Sequence, residues 1–277
     1  MIDFHVHLGN CFRHEYPWGR VSPSPEQLID WMNRMGIEMA CLLPLESPEV
    51  CAGYYLTEDA IAARDRYPER LIAFCCVDPR MPHLAEQVDV FVNTYGCKGF
   101  GEALNGLAFD DPLNKAVYAK CDELGLPYVF EINTRFCTDE VGLPRLEACL
   151  REFPSCIFCG HGPGFWCAIS GDDDRTCGYP DGPITPGGAI DRLAAEYDNL
   201  YLDLSAGSGY NAMTRDPEFT IGFIERNWRK MLFATDYFIA NQEIPHMEWL
   251  ASLDLDDEVR RAIASANARR ILRMDEE

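Results

Sequence analysis

Short apolar runs alternate with longer amphipathic stretches along nearly the whole chain. The apolar runs are rich in β-branched and aromatic residues and end near Gly, Pro or Asp, as buried strands do. Helix-start signals open several of the stretches between them, for example Ser24 before Pro25 and Asp111 before Pro112. This alternation predicts parallel strands joined by helical crossovers.

Eight apolar runs are predicted as strands. They cover residues 1–9, 37–45, 71–77, 96–102, 127–133, 155–159, 200–204 and 231–236. Predicted helices cover residues 25–35, 57–67, 83–95, 112–125, 143–153, 188–197, 217–227 and 256–274, with loops over 10–23, 163–187 and 205–216. One continuous alternation of this kind predicts an α/β fold, a (β/α)8 TIM barrel, as a single domain over residues 1–277. An open doubly wound sheet is the alternative, but no Gly-x-Gly-x-x-Gly segment follows a strand to support it.

Two histidines lie in the first predicted strand. Side chains alternate between the two faces of a strand, so Asp3, His5 and His7 are expected on one face and the apolar residues between them on the other. Imidazole is a common ligand of divalent transition metals, and two imidazoles on one rigid strand can reach the same ion. From the spacing alone, a solvated pair on an edge strand is an equally good explanation.

Further polar residues stand at the carboxyl ends of other predicted strands, where the chemistry of such barrels takes place. Together with the first strand they give three imidazoles and three carboxylates: His5, His7, Glu102, Glu131, His161 and Asp236. Alone, each has an ordinary explanation; Glu131 could pair with Arg135, and Asp236 could cap the next helix. A carboxylate in an apolar strand is nevertheless costly unless it is paired or metal-bound. Their joint position at strand ends favours a metal site.

These motifs follow one another in an order that resembles the amidohydrolase superfamily, closest to its aminocarboxymuconate-semialdehyde decarboxylase-like subgroup. The resemblance is carried by residues 2–7, 109–112, 124–127, 160–162, 232–237 and 267–272. It implies that His5, His7, His161 and Asp236 occupy metal-site positions. It also exposes a departure, because the subgroup usually has a histidine where this chain has Glu131. Residues 99–102, Gly-Phe-Gly-Glu, are instead similar to the TatD-like branch, in which the glutamate is a metal ligand.

The three carboxylates bear on the number of ions. Around one divalent ion they leave an excess of negative charge in a confined site, which favours either protonation of one carboxylate or a second ion. We therefore expect one or two divalent ions per chain, with Glu102 and Glu131 as candidates to bridge them. Imidazole and carboxylate ligands favour zinc here, with manganese or iron as alternatives.

The leading predicted function is metal-dependent hydrolysis of an amide, ester or lactone in a small molecule, with Asp236 as general base toward the attacking water. The resemblance also implies a second candidate, non-oxidative decarboxylation of an aromatic or unsaturated acid. For that reaction Arg13 and Arg135 could anchor a carboxylate and Trp166 could line the pocket. A third candidate is a metal-stabilised binding protein without turnover. Aromatic residues in the predicted loops that follow the strands could instead form the interface of a homo-oligomer.

Charge and cysteine content limit the binding partners and the cellular compartment that we expect for this protein. The 45 acidic residues against 24 basic ones give a formal charge of −21, which disfavours nucleic acid and anionic membranes and leaves a small-molecule substrate. No apolar run approaches the ~18 residues of a transmembrane helix and no secretory signal pattern opens the chain, so we expect a cytoplasmic protein.

The thirteen cysteines lie mostly in apolar runs, which favours buried free thiols. Cys156 and Cys159 are expected on opposite faces of one strand, where they cannot easily share an ion.

Overall fold

The computed structural model describes residues 1–8, 22–50 and 54–274, which form a parallel α/β barrel. The strands are β1 (Ile2–Val6), β2 (Met39–Leu42), β3 (Leu71–Ala73), β4 (Phe100–Ala103), β5 (Pro127–Glu131), β6 (Ile157–His161), β7 (Leu200–Asp203) and β8 (Met231–Leu232). The α-helices are α1 (Pro25–Met35), α2 (Thr57–Arg66), α3 (Leu84–Asn93), α4 (Pro112–Leu124), α5 (Pro144–Glu152), α6 (Pro163–Cys167), α7 (Ala189–Glu196), α8 (Ala206–Thr214), α9 (Pro217–Asn227), α10 (His246–Ser252), α11 (Asp257–Arg261) and α12 (Asn267–Ile271). The predicted (β/α)8 TIM barrel is therefore confirmed.

Two groups of parallel strands close on one another to complete the barrel. β1 to β3 form one group and β4 to β8 form the other. Gly101 N donates to Cys75 O at 2.8 Å across the first junction, and Phe4 N donates to Phe233 O at 3.0 Å across the second. Because both junctions are bonded, the carboxyl ends of all these strands meet at one end of the barrel, which we call the mouth.

Apolar side chains pack on both sides of this sheet. A smaller cluster takes side chains from every strand except β4 and fills the barrel interior, and Ile271 and Leu272 close it at the end where the strands begin. A larger cluster lies between the sheet and the helices. Cys156 belongs to the larger cluster and Cys159 to the smaller, which confirms that these two thiols face opposite sides. The described cysteines are free thiols, and no helix in the described part of the chain is long and apolar enough to cross a membrane.

A β-bulge interrupts the regular alternation of β1. Asp3 pairs with Ala40 and Val6 pairs with Leu42, so β1 has one residue more than β2 between these pairs. Phe4 therefore packs inside the barrel and Val6 outside it, which corrects the prediction that the apolar residues of this strand share one face. Bulges re-aim side chains next to active sites, and β4 has the same kind of register shift. Both strands contribute to the site described below.

Helices α6, α8 and α10 lie where the sequence predicts loops or no element. The Pro and Gly residues of α6 are typical of a loop, so the helix was not predicted. Its buried Phe165 and Trp166 stabilise it. In α8 a glycine is required by packing, because a Cβ at Gly209 would lie 2.4 Å from Leu204 O. Burial against the barrel thus overrides the weak helix propensity of these segments.

The last strand and the last helix also differ from the prediction. β8 ends at Leu232, whereas the prediction extends it to residue 236. The predicted helix over 256–274 is divided into α11 and α12 by a π-helical turn over Ala262–Ala266. Such turns insert one extra residue per turn, which a 3.6-residue periodicity does not reveal.

Candidate metal centre

The two histidines of the β1 segment lie side by side at the mouth. Their Nε2 atoms are 3.1 Å apart and both rings are buried. His5 Nδ1 lies 2.7 Å from Asp203 Oδ2, and His7 Nδ1 lies 2.7 Å from Leu43 O. Since both acceptors take a proton from the ring, each histidine donates through Nδ1 and directs Nε2 toward the other. A metal-binding histidine is held in the same way when Nε2 is the ligand atom.

His161 joins this pair from the end of β6. Its ring centroid lies 4.8 Å from that of His5, and its Nδ1 is 2.9 Å from Ser205 Oγ. Its Nε2 lies 3.6 Å from Glu102 Oε1. All three imidazoles are thus held at Nδ1 and turn Nε2 to a shared space.

Glu102 lies between the three histidines. Its Oε2 is 3.4 Å from His5 Nε2 and 3.3 Å from His7 Nε2. Its Oε1, which faces His161, is buried without a hydrogen-bond partner in the described structure. A buried carboxylate oxygen without a partner is costly, and a cation at this position would remove that cost. The prediction placed Glu102 at the carboxyl end of the fourth strand, and it lies within β4, where the register shift turns it inward.

Glu131 lies on the side of the site formed by β5 and β6. It pairs in register with His161, and Gly162 provides the space, since a Cβ there would lie 2.3 Å from Glu131 Cγ. Asn133 Nδ2 donates to Glu131 Oε1. Burial, followed by the charge of Glu102, raises the pKa of Glu131 to about 8. Near neutral pH this carboxyl therefore holds a proton unless a cation takes its place.

Asp236 occupies the more open side of the site. Its Oδ1 lies 3.3 Å from His7 Nε2 and 4.0 Å from His5 Nε2. Its backbone N–H donates to His5 O at 2.9 Å, which fixes a residue that has a φ of 56°. The side chain of Asp236 is 17% exposed, against 4% for Glu102, so Asp236 is the more accessible carboxylate.

The charges of these groups favour a cation at the centre. Burial alone lowers the pKa of His7, but its bonds with Asp236 and Glu102 raise it to about 9. Burial likewise opposes ionisation of Glu102, yet the charge of His5 holds the pKa of this carboxyl well below its usual value. Positive charge at the Nε2 atoms therefore stabilises the carboxylates. A divalent ion supplies that charge to neutral imidazoles, so the donor set fits such an ion.

Two overlapping sets of ligand atoms could hold ions. The sets are His5, His7 and Glu102, and Glu102, Glu131 and His161, with the ligand atoms of each set within 4.8 Å of one another. Glu102 belongs to both. His5, His161 and Asp203 form a further set, but Asp203 already accepts a bond from His5 Nδ1. We therefore assign Asp203 to the orientation of His5.

The structure brings together all the predicted ligands: His5, His7, Glu102, Glu131, His161 and Asp236. Two of the predicted substrate-binding residues, Arg135 and Trp166, belong to the described part of the chain. Arg13 lies outside the described residues. Arg135 is exposed and its Nη2 donates to Glu49 O at 2.7 Å, so its contact with substrate stays a prediction. Trp166 is only 2% exposed and its Nε1 donates to Asp203 O at 3.0 Å, so the indole supports the end of β7 and its contact with substrate stays a prediction.

Asp203 and Ser205 belong to the site but were not predicted from the sequence. Both hold histidine rings through Nδ1. A signal was present, because Asp203 stands at the carboxyl end of the predicted strand over 200–204, where polar residues of barrels collect. The partner of His7, Leu43 O, is a backbone atom and leaves no signal in the sequence.

Comparisons with known proteins agree with this architecture. An uncharacterized TIM-barrel protein from Bordetella bronchiseptica matches with a TM-score of 0.69 and 16% identity over 100% of this chain and 99% of that chain. A dihydroxybenzoic acid decarboxylase from a Polaromonas species, with bound manganese and the inhibitor 2-nitroresorcinol, matches with a TM-score of 0.63 and 15% identity over 99% and 97%. A probable 2-pyrone-4,6-dicarboxylic acid hydrolase from Acinetobacter baumannii, with citric acid bound, matches with a TM-score of 0.60 and 12% identity over 98% of each chain.

At these identities the solved structures establish the fold alone. A search of curated proteins finds no significant match. The likeness of residues 99–102 to the TatD-like branch is not tested by these comparisons and stays a prediction. A family model described as amidohydrolase matches residues 2–274, nearly the whole chain. Together with the barrel and its histidine and carboxylate cluster, this match shows that the chain belongs to the amidohydrolase family.

Proposed function

We propose that this chain is a divalent-metal-dependent hydrolase that cleaves an amide, ester or lactone bond of a small molecule. The observation that carries the proposal is the position of Glu102. Its two oxygens face two sets of histidine and carboxylate ligand atoms, and the accessible Asp236 borders the first set. This arrangement supports a hydrolytic site in which Glu102 would help to hold the ions and Asp236 would transfer protons.

Two ions per chain are part of the proposal. His5, His7 and Asp236 would hold the first ion, Glu131 and His161 the second, and Glu102 would contribute to both. Imidazole and carboxylate donors suit zinc, and they also suit manganese or iron. The manganese in the Polaromonas decarboxylase supports a divalent ion on this fold.

When bound, such ions would supply an acidified water and a Lewis acid for the substrate carbonyl. The chain's own residues would do the rest. Asp236 Oδ1, at the open side, would accept the proton of the attacking water and pass it to the leaving group. Asp203 and Leu43 O would keep the Nδ1 protons of His5 and His7 in place, so that neither ring turns away from the site. Burial of the histidines and Glu102 would keep bulk water away from the reacting group.

An accessible carboxylate at the site supports hydrolysis as the first candidate. Within the described residues, the ion pairs of Glu102 and Asp236 involve histidines alone. Asp236 is the more accessible of these carboxylates, so it could serve as the base that hydrolysis of a carbonyl compound requires. Decarboxylation stays the second candidate, because this fold also carries decarboxylases such as the Polaromonas protein.

One set of assays separates these functions. Protein stripped with a chelator and reloaded with zinc, manganese or iron should hydrolyse members of a panel of neutral esters, lactones and amides. Asp236→Asn should retain most of its metal yet lose at least about 100-fold in turnover, as expected for a lost general base. Asp254→Asn, at an exposed aspartate, is the matched control and should behave as wild type.

Three results would count against the proposal. Unchanged turnover in Asp236→Asn would contradict the role of that carboxylate. Carbon dioxide release from aromatic or unsaturated acids, without hydrolysis of the neutral panel, would favour the decarboxylase. Metal-loaded protein that stays folded but turns over neither panel would favour a binding protein.

A further inference from the structure

A fully buried carboxyl group precedes the two histidines of the β1 segment. Asp3 is 0% exposed, and its hydrogen bonds in the described structure all involve His5 and Thr235. Its Oδ1 accepts from Thr235 N at 3.0 Å and from His5 N at 3.3 Å, and its Oδ2 accepts from Thr235 Oγ1 at 2.6 Å. Asp3 therefore joins the strand that carries His5 and His7 to the residue before Asp236.

Asp3 takes the place of a backbone acceptor at the junction between β1 and the chain that follows β8. Phe4 N donates to Phe233 O at 3.0 Å, so regular parallel pairing would return a bond from Thr235 N to Phe4 O. Thr235 N donates to Asp3 Oδ1 instead. The side chain of Asp3 thus satisfies a buried N–H group at the point where the regular pairing ends.

The backbone of Asp236 has an uncommon conformation just beyond this point. Its N–H donates to His5 O at 2.9 Å, out of step with the regular pairing, and its φ is 56°. A left-handed conformation of this kind persists in a residue other than glycine only when neighbouring contacts fix it. Thr235 provides such contacts, because Asp3 holds it and its Oγ1 accepts from Tyr237 N at 3.1 Å. The residues on both sides of Asp236 are thus tied to one buried carboxyl group.

We propose that Asp3 is a positioning residue, whose bonds to Thr235 and His5 hold the carboxylate of Asp236 in place beside the histidines. Asp236 Oδ1 lies 3.3 Å from His7 Nε2, and the side chain is 17% exposed, so packing alone does not fix it. A displacement of about 1 Å can cost a reacting group about 100-fold in rate. The kinetic part of this inference rests on the proposed hydrolase function.

The kinetic test compares two variants of Asp3 on the best neutral substrate of the panel. Asp3→Ala removes every bond of the carboxyl group, so kcat should fall about 10- to 100-fold while KM stays near the wild-type value. Asp3→Asn keeps the shape of the group and an oxygen for both N–H donors, so it should recover most of the turnover. Asn267→Ala is the matched control. Asn267 is also fully buried, and its Nδ2 donates to Trp228 O and Met231 O at the start of β8, so this variant should lose stability but keep its kcat.

Co²⁺ absorption provides a readout that does not depend on turnover. The visible bands of protein-bound Co²⁺ depend on the geometry of the ligands, and His5 and Asp236 are among the proposed ligands. After loading with Co²⁺, Asp3→Ala should differ from wild type in the position or intensity of these bands, whereas Asp3→Asn and Asn267→Ala should match wild type. Thr235→Val removes one bond of the same link and should cause a smaller change in both kcat and the spectrum. It takes the place of Asp3→Ala if that variant does not fold.

The outcomes separate the role of Asp3 from the function of the protein. A wild-type kcat and a wild-type Co²⁺ spectrum in the folded variant would contradict the inference and leave the hydrolase intact. Equal losses of kcat in Asp3→Ala and Asn267→Ala, or no recovery in Asp3→Asn, would also count against positioning. If the wild-type holoenzyme turns over none of the panel, the hydrolase proposal fails and the spectra alone decide. A changed spectrum in Asp3→Ala that Asp3→Asn restores would then support the inference, and identical spectra would overturn it.

Discussion

A single carboxylate determines which nitrogen of His5 faces the ligand space. Asp203 Oδ2 lies 2.7 Å from His5 Nδ1, and both side chains are fully buried. Asp203 is itself fixed, because its Oδ1 accepts from Ser205 N at 2.9 Å and its carbonyl accepts from Trp166 Nε1. A ligand held by such a chain of bonds needs little reorganisation to bind an ion.

Replacement of Asp203 should therefore weaken metal binding without removing a ligand. We expect Asp203→Asn to lower the affinity for zinc by about 10- to 100-fold, because the amide can present N–H to Nδ1 and favour the wrong tautomer. Competition with a fluorescent chelator measures this affinity. Asp254→Asn serves again as the exposed control. Equal affinity in Asp203→Asn and wild type would show that the carboxylate has no part in orienting His5.

At the scale of elements, the order of strands and helices could be predicted from the sequence. The bulge and the helix packing that orient the side chains of the site could not. Ser24 and Asp111 correctly predicted the starts of α1 and α4, because caps are local signals. The bulge of β1 depends on pairing with β2, and α8 depends on packing against α6 and α9. Neither is encoded in a local pattern, which is why the prediction assigned the faces of β1 wrongly and missed α8.

The close approach of α8 to Leu204, the residue that follows β7, gives a prediction at this scale. Gly209→Ala should lower the free energy of unfolding by about 1–3 kcal/mol, because the new Cβ would lie 2.4 Å from Leu204 O. In an unconstrained helix the same change would instead stabilise by up to about 1 kcal/mol. Gly182→Ala is the matched control, since a Cβ there meets nothing within 4 Å. Urea unfolding measures both. A stabilised Gly209→Ala would show that the helix does not need this contact distance.

At the scale of the molecule, the formal charge of −21 and the carboxylates of the mouth act in the same direction. Both attract cations to the barrel, and the ligand atoms at the mouth are the place where such an ion is stabilised most. The predicted ligands, which are far apart in the chain, lie together because barrel closure brings every strand end to one place, and their role as metal ligands stays a prediction. The single domain over residues 1–277, the cytoplasmic location and homo-oligomer formation stay predictions.

Metal content per chain tests the central claim most directly. After loading with zinc and dialysis, elemental analysis should give two ions per wild-type chain and about one in Glu131→Gln, which keeps the set formed by His5, His7 and Glu102. Glu69→Gln, at an exposed glutamate, should keep two. A wild-type chain that retains no divalent ion would contradict the metal centre, and one ion in wild type and Glu131→Gln alike would contradict the second site.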